Sequence, residues 1–270
     1  MMKIEVLMSV MHQQTMLIIE RTNIQTDTVI INQCDSDDYC EMLINEKKVR
    51  MYSNKERGLS RSRNRAIAAS NADICLLCDD DERFYDNYPT LIEKAYKVYP
   101  KADIIVFRVK QNGKKYMERP TCVGYVQALK ISSCQITFKR QSIIEKNIRF
   151  NENFGAGTKY SSGEENIFLY ECLKKGLKIY YVPFEIGMVD QKQSTWFKGF
   201  TDNYFVNRGV ITRYYMGVFF ATIYAVYFSI AKYCNYKKDI SFTKAFVKLI
   251  NGIYSTKIDR PINEAKRWKI

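Results

Sequence analysis

The most constraining segment of this 270-residue chain is a short apolar run that ends in four carboxylates. Residues 74–78 (ICLLC) have the length and character of a buried strand, and Asp79, Asp80, Asp81 and Glu82 follow without interruption. On an extended chain Asp79 and Asp81 would share one face, and Asp80 would face away. This pair predicts a site for a hard divalent cation, Mg²⁺ or Mn²⁺. The alternative is a solvated acidic turn that caps the next helix.

The first 110 residues alternate between strand-like and helix-like segments. The predicted strands are residues 3–10, 28–32, 49–53, 73–78 and 103–109. The predicted helices are residues 60–70 and 88–99. This order predicts an α/β fold with a mostly parallel sheet flanked by helices. Ligands bind at the carboxyl ends of the strands in such sheets, where the aspartates would lie.

Charge and cysteine content limit the possible partners. An excess of 42 basic over 29 acidic residues gives a net charge of +13, which indicates an anionic partner or surface. The first residues are typical of a strand rather than a signal peptide. The eight cysteines are therefore expected to be reduced, and Cys75 and Cys78 would point to opposite faces of one strand. His12 is the only histidine, which argues against a histidine-based zinc site and a Ser-His-Asp triad.

One arginine lies on an otherwise small or apolar helix face. In the helix predicted at residues 60–70, Arg63 shares a stripe with Leu59, Ala66 and Ile67. We therefore expect its guanidinium to point inward at an anion. That anion could be a buried carboxylate, such as one of the three aspartates at residues 79–81, or the phosphate of a nucleotide.

Two glutamates, Glu164 and Glu165, open a helix predicted to end near residue 175. Ser161 and Ser162 each precede a glutamate by three residues, which is the pattern of a capping box. One glutamate could therefore serve only as a cap. The other could act as a general base if a substrate hydroxyl lay within hydrogen-bonding distance.

The C-terminal quarter has a different character. Residues 214–231 contain 18 residues without a charge; as a helix they would be ~27 Å long, close to the ~30 Å of a bilayer core. Residues 237–270 contain nine basic and three acidic residues, a net charge of +6, and include an amphipathic stripe. We expect residues 201–270 to form a helical region that binds an anionic membrane surface. A single span and a helical appendage packed on the domain of residues 1–200 are the alternatives.

Two motifs in this order resemble those of the family 2 glycosyltransferases, inverting enzymes of the GT-A fold that build bacterial surface polysaccharides. The first is residues 56–64 (ERGLSRSRN) followed by the strand that ends in Asp79-x-Asp81. The second is residues 155–165 (GAGTKYSSGEE) followed by residues 172–183 (CLKKGLKIYYVP). The resemblance covers roughly residues 3–200. It implies transfer of one sugar from a nucleotide-diphosphate donor, expected to be a UDP-sugar, to a hydroxyl of a saccharide or lipid-linked saccharide.

The resemblance also implies roles for individual residues. Asp81 would bind the metal that bridges the donor's diphosphate, supported by Asp79, and Asp190 is the candidate third ligand. Glu165 would be the catalytic base, with Glu164 as the alternative. The donor-binding candidates are Gln33, Asp35, Arg63, Asn64, Asp79 and Asp80. The acceptor-binding candidates are Gly157 and Trp196.

The chain departs from the family pattern at several positions. Residues 11–14 replace a Pro-x-Tyr-Asn-like turn, and Asn32-Gln33 replace a pair of aspartates that help to read the nucleobase. Gln33 could still pair with uracil through its amide. The family histidine after the last strand is absent, and Asp190 stands near that place. The Gln-x-x-Arg-Trp signature of processive synthases is also absent, so we expect a non-processive enzyme.

The sequence argues against three other classes of protein. A nucleotidyltransferase would need a Gly-rich basic loop after the first strand, which residues 11–14 do not provide. A nucleic-acid-binding protein would interleave basic and aromatic residues on one surface, whereas here the basic excess adjoins an apolar segment; no nucleic-acid partner is expected. A non-catalytic assembly protein would have no need of Asp79, Asp81 and Glu165. We expect a cytoplasmic enzyme attached peripherally to the inner face of the cell membrane.

Overall fold

The computed structural model describes residues 2–189 and 199–255. These residues form one sheet in the order β3-β4-β2-β1-β5-β9-β7-β10-β6, with β8 paired to β10. The strands are β1 (Ile4–Met11), β2 (Asp27–Gln33), β3 (Asp38–Ile44), β4 (Lys47–Asn54), β5 (Ile74–Asp79), β6 (Glu82–Phe84), β7 (Ile104–Lys110), β8 (Thr121–Cys122), β9 (Ile136–Lys139) and β10 (Ile179–Val189).

Helices cover the sheet and form the C-terminal part of the chain. They are α1 (Ile18–Arg21), α2 (Leu59–Ala69), α3 (Tyr88–Val98), α4 (Tyr125–Ala128), α5 (Arg140–Glu145), α6 (Glu164–Lys174), α7 (Asp202–Ala231), α8 (Tyr233–Tyr236) and α9 (Phe242–Ser255). A 3-10 helix, Ser133–Gln135, precedes β9. The α/β architecture expected from the alternating sequence pattern is confirmed.

The strands that carry the motifs run in one direction. β4, β2, β1 and β5 are parallel neighbours. The antiparallel strand β9 separates β5 from the parallel pair β7 and β10. The carboxyl ends of these six parallel strands therefore meet at one edge of the sheet. The candidate site lies at this edge.

Alternating side chains divide the core into two layers, one on each face of the sheet. Leu7, Cys75 and Leu77 belong to the layer that also contains residues of α2 and α6. Leu76 and Cys78 belong to the opposite layer, with residues of α3. The two cysteines of Cys75-x-x-Cys78 therefore point away from each other, as the period of a strand requires, and both are free thiols.

Within the first 110 residues, the strands β3 and β6 were not predicted from the sequence pattern. β3 lies at the edge of the sheet and is largely exposed, so it lacks a buried apolar pattern. It is joined to β4 by Asn45 and Glu46, both of which have positive φ (50° and 63°). Such hairpin turns usually contain Asn-Gly, and glutamate at the second position hides the signal. The three-residue strand β6 begins at Glu82, the last residue of the acidic run.

The apolar segment 214–231 does not form one straight helix. Gly217 has φ 77° and ψ 169° inside α7, values that are not helical. Arg208 contacts Tyr224, and the Phe205 and Phe228 rings also meet. The chain therefore reverses at Gly217, and each arm of the hairpin is about 21 Å long, short of the ~30 Å of a bilayer core. Counted as one helix of 30 residues, by length and composition alone, α7 is the one candidate membrane span in the described residues.

Helix α9 completes a three-helix unit with the two arms of α7. Lys244 and Lys248, near the start of α9, pair with Asp202 near the start of α7. The Arg213 guanidinium, farther along the first arm of α7, donates to the Ile253 carbonyl near the end of α9. α9 therefore runs parallel to the first arm. Gly209 and Gly252 allow the two backbones to approach, because a Cβ at Gly209 would lie 2.2 Å from the Leu249 carbonyl oxygen.

The three-helix unit is joined to the α/β domain by buried side chains. Val210, Ile211 and Tyr215 of the first arm belong to the same core layer as α2 and α6. Ile211 also lies against Gly163, the residue that precedes α6. The start of the helix that carries the two glutamates is thus in direct contact with the C-terminal unit.

Candidate active site

A buried arginine connects three elements at the carboxyl edge of the sheet. Arg63, on α2, is 1% exposed. Its Nη1 donates to Glu164 Oε1 at 3.0 Å, and its Nη2 lies 3.1 Å from both carboxylate oxygens of Asp79. The inward orientation expected from the helix stripe is confirmed, and the anions are carboxylates. Arg63 therefore fixes the end of β5 relative to the start of α6.

Charge pairing makes this arrangement stable. Burial by itself would lower the pKa of Arg63, but the negative charges of Asp79 and Glu164 outweigh it and raise the pKa. A buried charge without its partner is strongly destabilising, by about 3–5 kcal/mol in measured cases. The guanidinium also lies over the Phe150 ring, 5.5 Å from its centroid.

The four consecutive acidic residues lie at the end of a strand, in a turn and in a second strand. β5 ends at Asp79, which accepts from Arg63 and from the Ser133 hydroxyl. Asp80 and Asp81 form the turn that follows, and Asp80 is exposed. Glu82 is buried in β6, and burial raises the pKa of its carboxyl well above the usual range. The expectation that Asp79 and Asp81 share one strand face is therefore wrong, because the strand stops before Asp81.

The acidic run does not cap the next helix. α3 begins after Asn87, with no side-chain cap at its N-terminus, and β6 lies between the run and the helix. The alternative interpretation, an acidic turn that caps the next helix, is therefore wrong as well.

The residues suit a hard cation only in part. Carboxylate oxygens of Asp79 and Asp81 are the kind of ligand that Mg²⁺ and Mn²⁺ prefer, and Mg²⁺ sites commonly combine one or two carboxylates with substrate phosphates. Within residues 2–189 and 199–255, no three His, Cys, Asp or Glu side chains lie close enough together to hold a metal ion. Asp190 lies outside the described residues.

The two glutamates at the start of α6 differ sharply. The N-cap position belongs to Gly163 in a left-handed conformation (φ 85°), with no side-chain cap, so the predicted capping boxes of Ser161 and Ser162 are wrong. Glu164 is buried and paired with Arg63. Glu165 keeps part of its surface open to solvent. Burial, followed by the charge of Glu164, raises the pKa of Glu165 to about 8.

A glycine-rich loop brings α2 and α6 close together. The Leu59 N–H donates to the Ala156 carbonyl, and a Cβ at Gly157 would lie 3.3 Å from Gly58 Cα. A Cβ at Gly155 would lie 3.3 Å from the Glu164 carboxyl carbon. The close approach at Gly157 is therefore to Gly58, and that at Gly155 is to Glu164. Gly157 is thus placed as a spacer between two loops.

The remaining donor candidates lie around the same edge with different roles. Gln33 is buried, and its amide oxygen accepts from the Gly58 N–H at 2.7 Å. Asp35 is 86% exposed and pairs with Arg57. Asn64 exchanges two hydrogen bonds with the Phe150 backbone. Asn64 therefore holds the loop before Gly155, and its amide is not directed at a ligand.

Some site residues were not anticipated, and two predicted ones cannot be placed. Ser133 donates to Asp79, and Lys114 donates to the adjacent Ser132. Both lie on segments where the sequence has no distinguishing pattern: Lys114 stands next to Lys115, and Ser133 next to Ser132. Trp196, expected on the acceptor side, lies outside the described residues, as does Asp190.

A parallel sheet whose carboxyl edge carries an Asp-x-Asp turn, an inward arginine and a helix that opens with glutamates defines a glycosyltransferase of the GT-A class. The family model described as "Glycosyl transferase family 2" matches residues 5–165. The chain belongs to this family and is a glycosyltransferase. No curated protein matches the sequence.

Solved structures agree on the fold. The chain is similar to S. aureus TarS residues 1–349 in complex with UDP-GlcNAc, with a TM-score of 0.62 and 14% sequence identity; the match covers 93% of this chain and 82% of that one. It is similar to the same fragment in complex with UDP, with a TM-score of 0.59 and 13% identity, covering 94% and 81%. At such low identity the similarity shows a shared fold alone.

Proposed function

We propose that this protein transfers one sugar from a UDP-sugar to a hydroxyl of a saccharide or lipid-linked saccharide, with inversion at the anomeric carbon. The observation that carries the proposal is the separation of roles at the start of α6. Glu164 is paired with Arg63, while Glu165 is only partly buried and has a raised pKa. A general base works best when its pKa lies near the operating pH. Glu165 meets this condition, and Glu164 holds its neighbour in place.

The reaction exchanges one bond for another. The acceptor oxygen forms a bond to the anomeric carbon, and the bond from that carbon to the diphosphate oxygen breaks, with its electron pair leaving on UDP. The hydroxyl proton passes to the Glu165 carboxylate. The charge of Glu164 makes Glu165 a stronger base, because a negative neighbour favours the protonated form of a carboxyl.

The leaving diphosphate needs positive charge, and a divalent cation would supply it as a Lewis acid. Asp79 and Asp81 are the residues that would hold this cation. Asp79 pairs with Arg63, and the resemblance to the family implies Asp81 as the principal ligand. The TarS complexes with UDP-GlcNAc and UDP support a uridine nucleotide as donor for this fold. Gln33 and Asp35 lie at the carboxyl end of β2, where the nucleobase would bind.

We assign residues 1–200 to the catalytic domain and residues 201–270 to a membrane-associating region. The second arm of α7 supports this assignment, since its apolar side chains are exposed on one helix face: Phe219 (72%), Phe220 (62%), Ile223 (53%), Val226 (45%), Tyr227 (59%) and Ile230 (64%). Lys232, Lys237 and Lys238 are exposed beyond its end. An apolar face beside lysines suits an anionic bilayer surface. Such a contact would place the enzyme at the inner face of a membrane.

The test of the reaction is release of UDP from a panel of UDP-sugars, with Mn²⁺ or Mg²⁺, by the wild type and by Glu165→Gln. We expect the variant to lose about 10²–10⁴-fold in kcat. Glu171→Gln is the matched control, because Glu171 lies on the same helix and pairs only with Lys175 at the surface. Equal rates in Glu165→Gln and wild type would overturn the role of the base. Absence of UDP release from every donor would overturn the donor class.

The test of the membrane region is co-sedimentation with vesicles of phosphatidylcholine, with and without phosphatidylserine. Changing Phe219 and Phe220 to serine should reduce binding to the anionic vesicles. Leu43→Ser is the control, because Leu43 is 76% exposed on β3, in the α/β domain. Unchanged sedimentation of the double variant would remove this face from the membrane contact.

A further inference from the structure

A half-buried lysine lies beside the active site with neutral partners. Lys114, in the loop after β7, donates from Nζ to the Ser132 hydroxyl and to Gln135 Oε1, both at 2.6 Å. In the described part of the chain, Lys114 forms no ion pair with a carboxylate. An ammonium group has three N–H donors, so one remains for a further acceptor.

The surroundings make this charge costly without an anion. Burial lowers the pKa of Lys114, and its ammonium lies 5.6 Å from the Tyr116 ring centroid. Burying a charged group is unfavourable unless it is paired. Arg63 has two carboxylates within ion-pairing distance. In the described residues Lys114 has none at that distance, and the charge of Glu165 acts on it only from farther away.

The position of Lys114 relative to Asp79 is fixed by two consecutive serines. Ser132 accepts from Lys114, and Ser133 donates to Asp79 Oδ2 at 3.3 Å. Lys114 and Asp79 are therefore bonded to neighbouring residues of one short segment, and the charge of Glu165 acts on the Lys114 ammonium.

The order of strands shows on which side of the site Lys114 lies. From β5, which carries Asp79, the strands run through β1 to β2 in one direction and through β9 to β7 in the other. Gln33 is at the end of β2, and Lys114 follows β7. Neighbouring strands are about 4.8 Å apart. Gln33 ends a strand about two spacings from β5, whereas the Lys114 ammonium bonds residues that lead into β9, the neighbour of β5 on the opposite side. The nucleobase side and the Lys114 side are thus separated by Asp79.

We propose that Lys114 binds an anionic group, a carboxylate or a phosphate, carried by the transferred sugar or by the acceptor. The proposal rests on the proposed function, because it takes Asp79 and Glu165 as the place where the sugar is transferred. A neutral hydroxyl would not balance the buried charge, whereas a carboxylate or phosphate oxygen would accept the free N–H and neutralise it. Lys114 thereby selects charged over neutral substrates.

The experiment compares Lys114→Met with Lys115→Met, the exposed neighbour, in three assays. Calorimetry of UDP binding tests whether Lys114 contributes to binding the diphosphate. Turnover of UDP-glucuronate against UDP-glucose tests the transferred sugar. Turnover with glucose 6-phosphate against methyl glucoside as acceptors tests the acceptor. We expect Lys114→Met to lose about 10- to 100-fold in kcat/KM for the anionic member of one pair, and less than about threefold for the neutral member.

Each outcome decides the proposal. Selective loss in the donor pair places the anion on the sugar, and selective loss in the acceptor pair places it on the acceptor; either supports the proposal. Equal losses for charged and neutral substrates, no loss, or weaker UDP binding would overturn it, and the last result would assign Lys114 to the diphosphate. If wild-type protein uses no UDP-sugar, the proposed function itself fails, and the role of Lys114 falls with it.

Discussion

Two arginines, the buried Arg63 and the half-buried Arg208, are stabilised in different ways in the two regions of the molecule. Arg63 at the catalytic edge lies between the carboxylates of Asp79 and Glu164. Arg208 in the three-helix unit lies against the aromatic rings of Tyr204, Tyr224 and Phe228. Within the described residues Arg208 forms no ion pair, and it donates to the hydroxyls of Tyr204 and Tyr224.

The difference reflects what each region does. Carboxylates arranged around a guanidinium fix positions within a few tenths of an ångström and set the charge of neighbouring groups, which catalysis requires. Aromatic rings hold a cation with less directional constraint. We infer that the contacts of Arg63 fix the positions of side chains at the catalytic edge, whereas those of Arg208 contribute to packing in the C-terminal unit. Substitutions in the two regions should therefore differ in size and kind.

The largest effect is expected from Arg63→Met. The variant leaves Asp79 and Glu164 without their cation, which should lower the free energy of unfolding by about 3–5 kcal/mol and abolish turnover. Urea unfolding followed by circular dichroism measures the change. Arg61→Met is the control, because Arg61 is exposed on the same helix and pairs with Glu152; it should lose less than about 1 kcal/mol. Similar losses in the two variants would contradict the role of Arg63.

A smaller loss of stability is expected at the contact between the two regions. In Gly163→Ala the new Cβ would lie 2.5 Å from Ile211 Cγ2, and overpacking of this kind costs about 1–3 kcal/mol. Gly176→Ala is a matched control with a similar φ (81° against 85°) and no atom within 4 Å of the new Cβ. The difference between the two variants measures the clash alone. In an Ile211→Ala background, Gly163→Ala should cost less than it does in the wild type, and an equal cost in both backgrounds would count against the contact.

The smallest effect on stability is expected from Arg208→Met. Methionine keeps most of the apolar contact with the rings, so the loss should be about 1–2 kcal/mol, from the hydrogen bonds to tyrosine and the cation–π contacts. Turnover per folded molecule should be unchanged. A loss as large as that of Arg63→Met, measured in the same unfolding experiment, would remove the distinction between the two regions.

The sequence predicted the catalytic edge better than the C-terminal unit. The strands, the inward Arg63 and the loop glycines follow from local spacing, and the structure contains them. The pairing of Arg63 with Glu164 joins residues 101 positions apart, and no local pattern reports it. The reversal at Gly217 was missed because an uncharged run with one glycine also fits a continuous helix. The turn at Asp80 and Asp81 was missed because alternation along a strand cannot show where the strand ends.

The pH dependence of kcat/KM tests the central claim most directly, because it reports the base of the free enzyme. Glu165 accepts a proton only as the carboxylate, so with a pKa of about 8 the rate should rise with pH and level off above about pH 8. The same raised pKa favours the protonated folded state, so stability should fall as pH rises from about 4.5 towards 8. Glu165→Gln should reduce this dependence, and the contribution of Glu82, whose pKa is also raised, should remain. A rate profile that is flat from pH 6 to 9 would contradict Glu165 as the base.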